Sequence, residues 1–218
     1  MKRLFDLILS LLGLIVLAPL LAALALLIKL DSPGPVFYRG VRAGCFAKPF
    51  RIFKFRTMVV NADKIGGSST AEDDPRVTRT GRFLRKYKLD ELPQLFNVLA
   101  GEMSLVGPRP QVPWAVDLYT EEERCILRVR PGITDPASLE FRDEGGMLRG
   151  SANPDKDYLE KIHPEKMRLS LEYVRTQSLR LDCRILWQTV TAVFFRPSRL
   201  KNELKVERSP VSDLAHKS

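Results

Sequence analysis

Two adjacent carboxylates, Asp90 and Glu91, are the clearest candidates for chemistry in the sequence, because they stand between two groups of basic residues. The basic residues before and after the pair are Arg76, Arg79, Arg82, Arg85, Lys86 and Lys88, and then Arg109, Arg128 and Arg130. A carboxylate repels a diphosphate, so attack on phosphorus requires that arginines or a divalent ion first neutralise the phosphate charge. An aspartate can then be the nucleophile, as in enzymes that form an aspartyl-phosphate. The pattern is therefore typical of phosphoryl chemistry.

The same pair also has an ordinary structural interpretation. Asp90 would serve as the N-cap of a helix predicted over 91–100, with Pro93 in its first turn and Gly101 just past its end. The positive end of such a helix would keep Asp90 ionised and would attract phosphate. An Asp-Glu pair that opens a helix is most often a cap with a first-turn charge, and nearby arginines can be a solvated face. These residues by themselves leave both interpretations open.

Composition narrows the classes of partner and of chemistry. The 218-residue chain has a formal net charge of +9, which favours nucleic acid, acidic lipid or a phosphorylated substrate as partner. Its 3 cysteines include no CxxC pair, so we expect free thiols and neither a disulfide framework nor a zinc site. The chain has only 2 histidines, His163 and His216, which gives little support to chemistry based on histidine.

An apolar run at 7–28 predicts a membrane segment. At about 1.5 Å per residue it would form a helix of roughly 33 Å, which is enough to cross a bilayer core and too long for a signal peptide. Length alone favours a single span with a kink at Pro19, where a backbone hydrogen bond is lost. Basic residues on both flanks, however, favour two cytoplasmic ends, as in a helix that enters, bends at Pro19 and returns.

The elements that must position the carboxylates are predicted to be mainly helical. Short strands are predicted where apolar and basic residues alternate, at 36–39 and 50–56. Helices are predicted at 81–89, 91–100, 121–129 and from Pro164 onward, with loops at 61–70, 107–110 and 145–154. We therefore expect a mostly α fold with small β elements (α+β). It would comprise a membrane segment at 1–31, a compact cytosolic domain with interfacial amphipathic helices at 32–200, and a disordered polar tail at 201–218.

Long stretches of the chain resemble the bacterial sugar transferases, the monotopic phosphoglycosyl transferases that start glycan assembly on undecaprenyl phosphate. The matching stretches are Lys2-Arg3-Leu4-Phe5-Asp6, Ser32-Pro33-Gly34-Pro35-Val36-Phe37, Phe53-Lys54-Phe55-Arg56-Thr57-Met58, the segments 73–86, 89–99 and 101–110, and Arg130-Pro131-Gly132-Ile133-Thr134. An ordered set of this kind, reaching from Lys2 to near Thr191, is far more specific than a short motif.

The resemblance implies a ping-pong reaction centred on Asp90. Asp90 would attack the sugar-proximal phosphate of a UDP-sugar and expel UMP, and a polyprenyl phosphate would then take the phospho-sugar from Asp90. Glu91 would be the partner of Asp90, and both would help to hold Mg²⁺. Arg109 would help to bind the nucleotide. The further candidates for substrate binding are Arg82, Arg85, Arg130, Lys54 and Arg56.

The resemblance also carries expectations about fold, location and partners. It implies a re-entrant N-terminal helix broken near Pro19, which reverses the preference for a single span. The catalytic domain would lie on the cytoplasmic face of the bacterial inner membrane and perform the first membrane step of glycan assembly. The implied partners are a UDP-sugar, polyprenyl phosphate and membrane lipids, with no nucleic acid and with the oligomeric state left open. Lacking a long N-terminal membrane domain, the chain resembles a minimal catalytic unit.

The sequence departs from the common family pattern in two places. Ala18-Pro19 stands where many members have Ser-Pro, and Asp135-Pro136-Ala137-Ser138-Leu139 stands where many read Gly-Trp-Ala-Gln-Val. The second stretch is expected near the sugar pocket, so the sugar itself is not predicted. Two alternatives remain. One is a membrane-tethered basic module that binds anionic lipid or nucleic acid without catalysis and is indifferent to loss of the carboxylates. The other is a transferase that forms a glycosidic bond and leaves UDP instead of UMP.

Overall fold

Helices dominate the architecture, and one long N-terminal helix packs along the rest of the chain. The computed structural model describes residues 1–62, 65, 70 and 73–194. The α-helices in this part of the chain are α1 (Lys2–Asp31), α2 (Arg79–Lys86), α3 (Gln94–Ala100), α4 (Pro113–Asp117), α5 (Pro136–Glu140), α6 (Glu144–Met147), α7 (Pro154–Asp157), α8 (His163–Thr176) and α9 (Leu179–Phe194). The predicted fold class, mostly helical with small sheets, is confirmed.

Short strands form three separate two-stranded sheets within the described residues. The strands are β1 (Phe37–Tyr38), β2 (Val41–Ala43), β3 (Pro49–Arg51), β4 (Lys54–Phe55), β5 (Ser104–Val106) and β6 (Gly132–Thr134). β1 pairs antiparallel with β4, and β2 with β3. Strands are thus confirmed within 36–39 and 50–56, but the second segment is divided between β3 and β4, and β2 was not predicted. β5 and β6 pair in parallel, a pairing that the sequence did not predict. Because parallel strands end at the same edge, the loops that carry Arg109 and Asp135 start side by side.

The N-terminal helix α1 is long and apolar enough to cross a membrane, the only such helix in the described ranges. Its helical structure continues through Pro19 without interruption, so the predicted break is not seen as a gap in the helix. Large apolar side chains stay exposed along its length: Leu4, Ile8, Leu9, Leu11, Leu12, Ile15, Val16, Leu20, Leu26, Leu27 and Leu30. One face of α1 is therefore left for an apolar surrounding, which fits a membrane-associated protein.

Both ends of α1 dock on the same folded body. Near its start, Asp6 accepts hydrogen bonds from Ser104 Oγ at 2.8 Å and from the Leu105 backbone N–H at 3.3 Å. Near its end, Leu24 and Ile28 are buried in a cluster with Phe55 and Leu84, which belong to β4 and α2. Between these ends, Leu14 and Leu17 pack against the main core. The buried positions recur every three or four residues, so a single stripe of α1 faces the body over its whole length.

The main core joins α3, β5, α8 and α9. Its buried members are Phe50, Ile52, Leu95, Val98, Met103, Leu105, Val106, Tyr173 and Ile185. The sequence predicted one long helix from Pro164 onward, but α8 ends at Thr176 and α9 begins at Leu179. At this corner Tyr173 Oη donates a hydrogen bond of 2.7 Å to Asp182, which also pairs with Lys2 at 2.5 Å. A buried polar contact thus holds the two helices at an angle that periodicity alone does not reveal.

Other boundaries differ in detail from the predictions. The basic helix predicted at 81–89 is α2, and the segment predicted as a helix at 121–129 is a 3₁₀-helix over Glu123–Arg128. α6 extends into the stretch predicted as a loop at 145–154. The predicted Gly/Ser loop at 66–69 and the predicted polar tail at 201–218 lie outside the described residues.

Candidate active site

The carboxylate pair lies in a 3₁₀ turn, Leu89–Glu91, between α2 and α3. Lys88 before it has a left-handed backbone (φ 56°), which turns the chain sharply after α2. The predicted helix does end where expected, since Gly101 caps α3 with φ 85°. Its start was predicted wrongly: α3 begins at Gln94 and Pro93 is its N-cap, so Asp90 does not cap this helix.

Glu91 is fixed by two cations. Both of its carboxylate oxygens accept hydrogen bonds from the guanidinium of Arg109, one of them at 3.0 Å, and Lys54 Nζ donates to it at 3.0 Å. Burial by itself would raise the pKa of Glu91, but the charges of Arg109 and Lys54 outweigh it and hold that pKa well below its usual range. Glu91 is thus a permanent anion that sets the positions of both cations.

Asp90 is in the opposite condition. Its side chain is buried, and Oδ1 has no hydrogen-bond partner among the described residues. Burial raises the pKa of Asp90 above its ordinary value, although the charges of Lys54, Arg85 and Lys88 act against this. The expectation that the dipole of a helix starting at Asp90 would set its pKa was therefore wrong, because α3 begins at Gln94 and burial is the largest influence on that pKa. What remains is a carboxylate without bound donors, which is a reactive arrangement.

Two arginines of α2 flank the pair. Arg85 donates from Nε to Thr57 Oγ1 at 2.9 Å, which orients it while leaving its terminal nitrogens for a ligand. Its charge acts on Asp90, and burial lowers the pKa of Arg85. Arg82 is exposed, donates weakly to the Val77 carbonyl at 3.3 Å, and lines the same open cleft. Both predicted substrate-binding residues therefore lie where an anionic ligand could reach them.

The other two candidate arginines donate to backbone carbonyls, although Arg56 also lines the cleft. Arg56 is buried, and its two terminal nitrogens donate to the carbonyls of Pro33 and Ser32, at 2.5 and 2.8 Å. It therefore secures the turn that follows α1. Arg130 is exposed, donates from Nε to the Gly101 carbonyl at 2.9 Å, and is not among the residues that line the cleft. The structure does not bring Arg130 together with the carboxylate pair.

Two polar residues of α3 complete the site and were not predicted. Gln94 lines the cleft, is 1% exposed, and its Nε2 has no hydrogen-bond partner in the described part of the chain. Asn97 accepts from the Phe53 backbone N–H at 2.7 Å and donates to the Arg51 carbonyl at 2.9 Å, which fixes the strand that carries Lys54. Gln94 stands four residues after Asp90 and three after Glu91, and Asn97 stands three after Gln94, a spacing that could have indicated a shared helical face.

The donor atoms can be compared with the needs of Mg²⁺, which the sequence resemblance implies. The described residues contain no cluster of three or more His, Cys, Asp or Glu side chains arranged to hold a metal. Mg²⁺ at nucleotide sites is commonly held by one or two carboxylates, with phosphate oxygens and water as the other ligands. Asp90 fits that arrangement because Oδ1 is unpartnered, whereas both Glu91 oxygens are occupied by cations. Asp90 is therefore the better candidate ligand, and Glu91 acts through its cations.

Comparison with known proteins shows the family to which the sequence belongs. The family profile described as "Bacterial sugar transferase" matches residues 1–196. A UDP-glucose:undecaprenyl-phosphate glucose-1-phosphate transferase of Escherichia coli is 42% identical over 194 residues, which are 87% of this chain and 39% of that protein. A UDP-N-acetylgalactosamine-undecaprenyl-phosphate N-acetylgalactosaminephosphotransferase of Aeromonas hydrophila is 37% identical over 88% of this chain and 43% of its own length.

The exopolysaccharide production protein ExoY of Sinorhizobium fredii is 36% identical, and here the alignment covers 88% of this chain and 84% of that protein. The chain spans about two fifths of the length of the two named transferases. The match to the family profile nonetheless covers nearly all of the chain, including every candidate site residue. The chain therefore belongs to the bacterial sugar transferase family.

Proposed function

We propose that this protein transfers a sugar-1-phosphate from a UDP-sugar to undecaprenyl phosphate and releases UMP. The observation that carries the proposal is the buried carboxylate of Asp90, whose Oδ1 has no hydrogen-bond partner among the residues that the structure describes, in a cleft lined by Lys54, Arg85 and Arg109. Relatives named for the same reaction support it, and their different sugars leave the identity of the sugar open.

The reaction takes place in two displacements at one phosphorus atom. An oxygen of Asp90 attacks the sugar-proximal phosphorus, and the bond from that phosphorus to the bridging oxygen breaks. UMP leaves with the bridging oxygen and its electron pair, and the sugar phosphate stays on Asp90 as an acyl phosphate. An oxygen of undecaprenyl phosphate then attacks the same phosphorus. The bond to Asp90 breaks, the carboxylate is regenerated, and the product is a lipid-linked sugar diphosphate.

The residues around Asp90 supply charge and position. Arg85 and Lys54 neutralise the phosphate oxygens, which allows an anion to approach an anion. Arg109, held on both terminal nitrogens by Glu91, presents its remaining N–H groups to the leaving UMP. The low dielectric around Asp90 strengthens each of these interactions. When bound, Mg²⁺ would be held by Asp90 and by substrate phosphate, and it would supply further charge neutralisation.

Membrane association is part of the proposal because undecaprenyl phosphate is a lipid. Both ends of α1 contact the body that carries Asp90. If α1 crossed the bilayer, its two ends would lie on opposite sides and could not both contact that body. This supports a monotopic arrangement, with the active site on the cytoplasmic face of the bacterial inner membrane. α2, which bears Arg82 and Arg85, packs on the end of α1 and is placed to receive the lipid phosphate.

The proposal is tested by the order of product release. Purified protein is incubated with a panel of UDP-sugars and Mg²⁺, without lipid acceptor. We expect release of about one equivalent of UMP per enzyme and a phospho-sugar adduct on Asp90 in the mass spectrum of the protein. Asp90→Asn should release none, while Asp117→Asn, an exposed change outside the cleft, should behave like wild type. Release of UDP, or of UMP only with acceptor present and without an adduct, would refute this mechanism.

A further inference from the structure

A second group of charged side chains lies in the same cleft and has no part in the chemistry at Asp90. Lys166 of α8 forms an ion pair with Glu144 of α6, and its side chain is only 12% exposed. Its ammonium lies 5.2 Å from the ring centre of Tyr158 and 5.9 Å from that of Phe141. Lys166, Glu144 and Tyr158 all line the cleft together with Arg109. A largely buried lysine held between an acid and two rings has its position well defined.

Asp135 connects the elements that carry this group. It is fully buried, caps α5 by accepting from the Ser138 backbone N–H at 2.8 Å, and accepts from Ser170 Oγ of α8 at 3.3 Å. It thus ties the loop after β6 to the helix that carries Lys166. A small cavity of about 20 Å³ separates Asp135 from Arg109, and Tyr119 Oη and Ser138 Oγ beside it have no hydrogen-bond partner among the described residues. The sequence departs from the common family pattern at this same stretch.

The chemistry of the group suits neutral hydroxyls better than a phosphate. Lys166 is already paired with Glu144, so the pair together offers N–H donors and carboxylate acceptors with little net charge. Burial raises the pKa of Tyr158 to about 12, so its phenol stays protonated at neutral pH and can donate. Adjacent donors and acceptors beside aromatic rings match the vicinal hydroxyls and the apolar face of a sugar ring.

The position of the group in the cleft indicates which substrate it meets. The α2 end of the cleft adjoins α1, and is therefore the side nearer the membrane and the lipid acceptor. Glu144 and Lys166 interact electrostatically with Arg109 and line the same cleft, so a donor with its diphosphate between Asp90 and Arg109 would have a ring within reach of the group. We infer that Lys166, Glu144 and Tyr158 form a subsite for a sugar ring of the nucleotide-sugar donor. This inference rests on the proposed function.

Two rings of the donor have the same hydroxyl chemistry, the transferred sugar and the ribose of the nucleotide, and one set of measurements distinguishes them. Lys166→Met and Glu144→Gln are assayed for UMP release with UDP-glucose and with UDP-N-acetylgalactosamine, with UMP as inhibitor. Lys161→Met is the matched control, an exposed lysine outside the cleft. We expect a rise in donor KM of about tenfold to a hundredfold with a smaller change in kcat, because binding hydrogen bonds are lost.

If the ring is the transferred sugar, the variants change the preference between the two donors and leave inhibition by UMP unaltered. If it is ribose, KM rises equally for both donors and UMP inhibits less strongly. Either result supports the subsite. Should Lys166→Met fail to fold, Lys166→Arg, which keeps the charge and alters its shape, and Glu144→Gln give the same readout. An unchanged donor KM in all soluble variants overturns the subsite alone, whereas a wild type that releases no UMP from any UDP-sugar overturns the proposed function with it.

Discussion

At the scale of single residues, the two neighbouring carboxylates have opposite electrostatic environments. Glu91 is surrounded by the charges that its ionised form requires, while Asp90 is buried and its Oδ1 has no hydrogen-bond donor within the described part of the chain. The same short turn therefore yields one anion paired with two cations and one carboxylate that we propose as the nucleophile. Two carboxyl groups in one site can take different roles when their surroundings shift their pKa values apart.

The buried charge of Asp90 leads to a prediction about stability. Its pKa is raised in the folded state, so its contribution favours folding below the unfolded pKa and is lost as pH rises through the folded pKa. At pH 7, which is above the unfolded pKa, the burial of Asp90 thus opposes folding. We expect Asp90→Asn to lose activity by on the order of 10³-fold or more, yet to unfold at the same or a higher temperature than wild type.

Thermal unfolding in detergent at pH 7 and at about pH 4 measures this effect, and the difference between the two proteins should shrink at the lower pH. Asp117→Asn should show no such difference, because that residue is exposed. A clear loss of thermal stability in Asp90→Asn at pH 7 would contradict the picture of an unpartnered, buried charge.

Glu91 should respond in the opposite direction. Its pKa is lowered in the folded state, so its stabilising contribution is present above the unfolded pKa and is lost as pH falls through the lower, folded pKa. Glu91→Gln leaves Arg109 and Lys54 without a counter-charge and should cost about 2 kcal/mol. The melting temperature at pH 7 should fall by roughly 5 °C, with a smaller difference below about pH 4. The exposed substitution Glu121→Gln serves as the control, and an unaltered melting temperature for Glu91→Gln would count against the ion pairs.

At the scale of elements, close contact between α2 and the segment after β4 sets the positions of Arg82 and Arg85, the two arginines that we propose to contact phosphate. A Cβ on Gly81 would overlap the backbone of Thr57, whose carbonyl accepts from the Thr78 backbone N–H at 3.0 Å. Thr57 Oγ1 also accepts from Arg85. Position 81 therefore requires glycine, because the backbones of α2 and Thr57 are too close together to admit a side chain.

We predict that Gly81→Ala displaces α2 and lowers stability by roughly 1–3 kcal/mol, with a rise in KM because Arg85 moves with the helix. Unfolding in urea and steady-state kinetics measure the two effects. Arg79→Ala, an exposed change at the start of the same helix, is the control and should leave KM near its wild-type value. Normal kinetics in Gly81→Ala would mean that the position of α2 does not govern the site.

At the scale of the whole molecule, the position of α1 determines how the protein meets the membrane. Its buried stripe faces the body along the entire helix, and its other face is exposed and apolar. A helix that crossed the bilayer would separate its ends by about 30 Å of hydrocarbon, while here both ends contact one body. The protein is expected to enter one leaflet only.

Cysteine labelling tests that expectation. In a variant whose Cys45, Cys125 and Cys183 are replaced by serine, new cysteines are placed at Leu4 or at Leu30, both exposed. We expect an impermeant maleimide to label neither position in intact spheroplasts and both after lysis. Labelling of the Leu4→Cys variant from outside would show that α1 crosses the membrane.

The sequence alone determined the local features of this protein. Apolar composition predicted α1, alternation predicted the strands near 36–56, and Gly101 marked the end of α3, because each depends on residues close together in the chain. The ordered motifs also identified the family, which the match over residues 1–196 confirms. The roles implied for Asp90 and the metal stay predictions.

The tertiary structure decided what depends on distant residues. The contact of Glu91 with Arg109 and Lys54, the parallel pairing of β5 with β6, and the burial that raises the pKa of Asp90 follow no local pattern. The sequence likewise predicted substrate binding for all of these arginines. In the folded chain the charge of Arg85 acts on Asp90, whereas Arg56 and Arg130 donate hydrogen bonds to backbone carbonyls. Charge and periodicity report composition along the chain, but desolvation and hydrogen-bond geometry arise only where separate segments pack together.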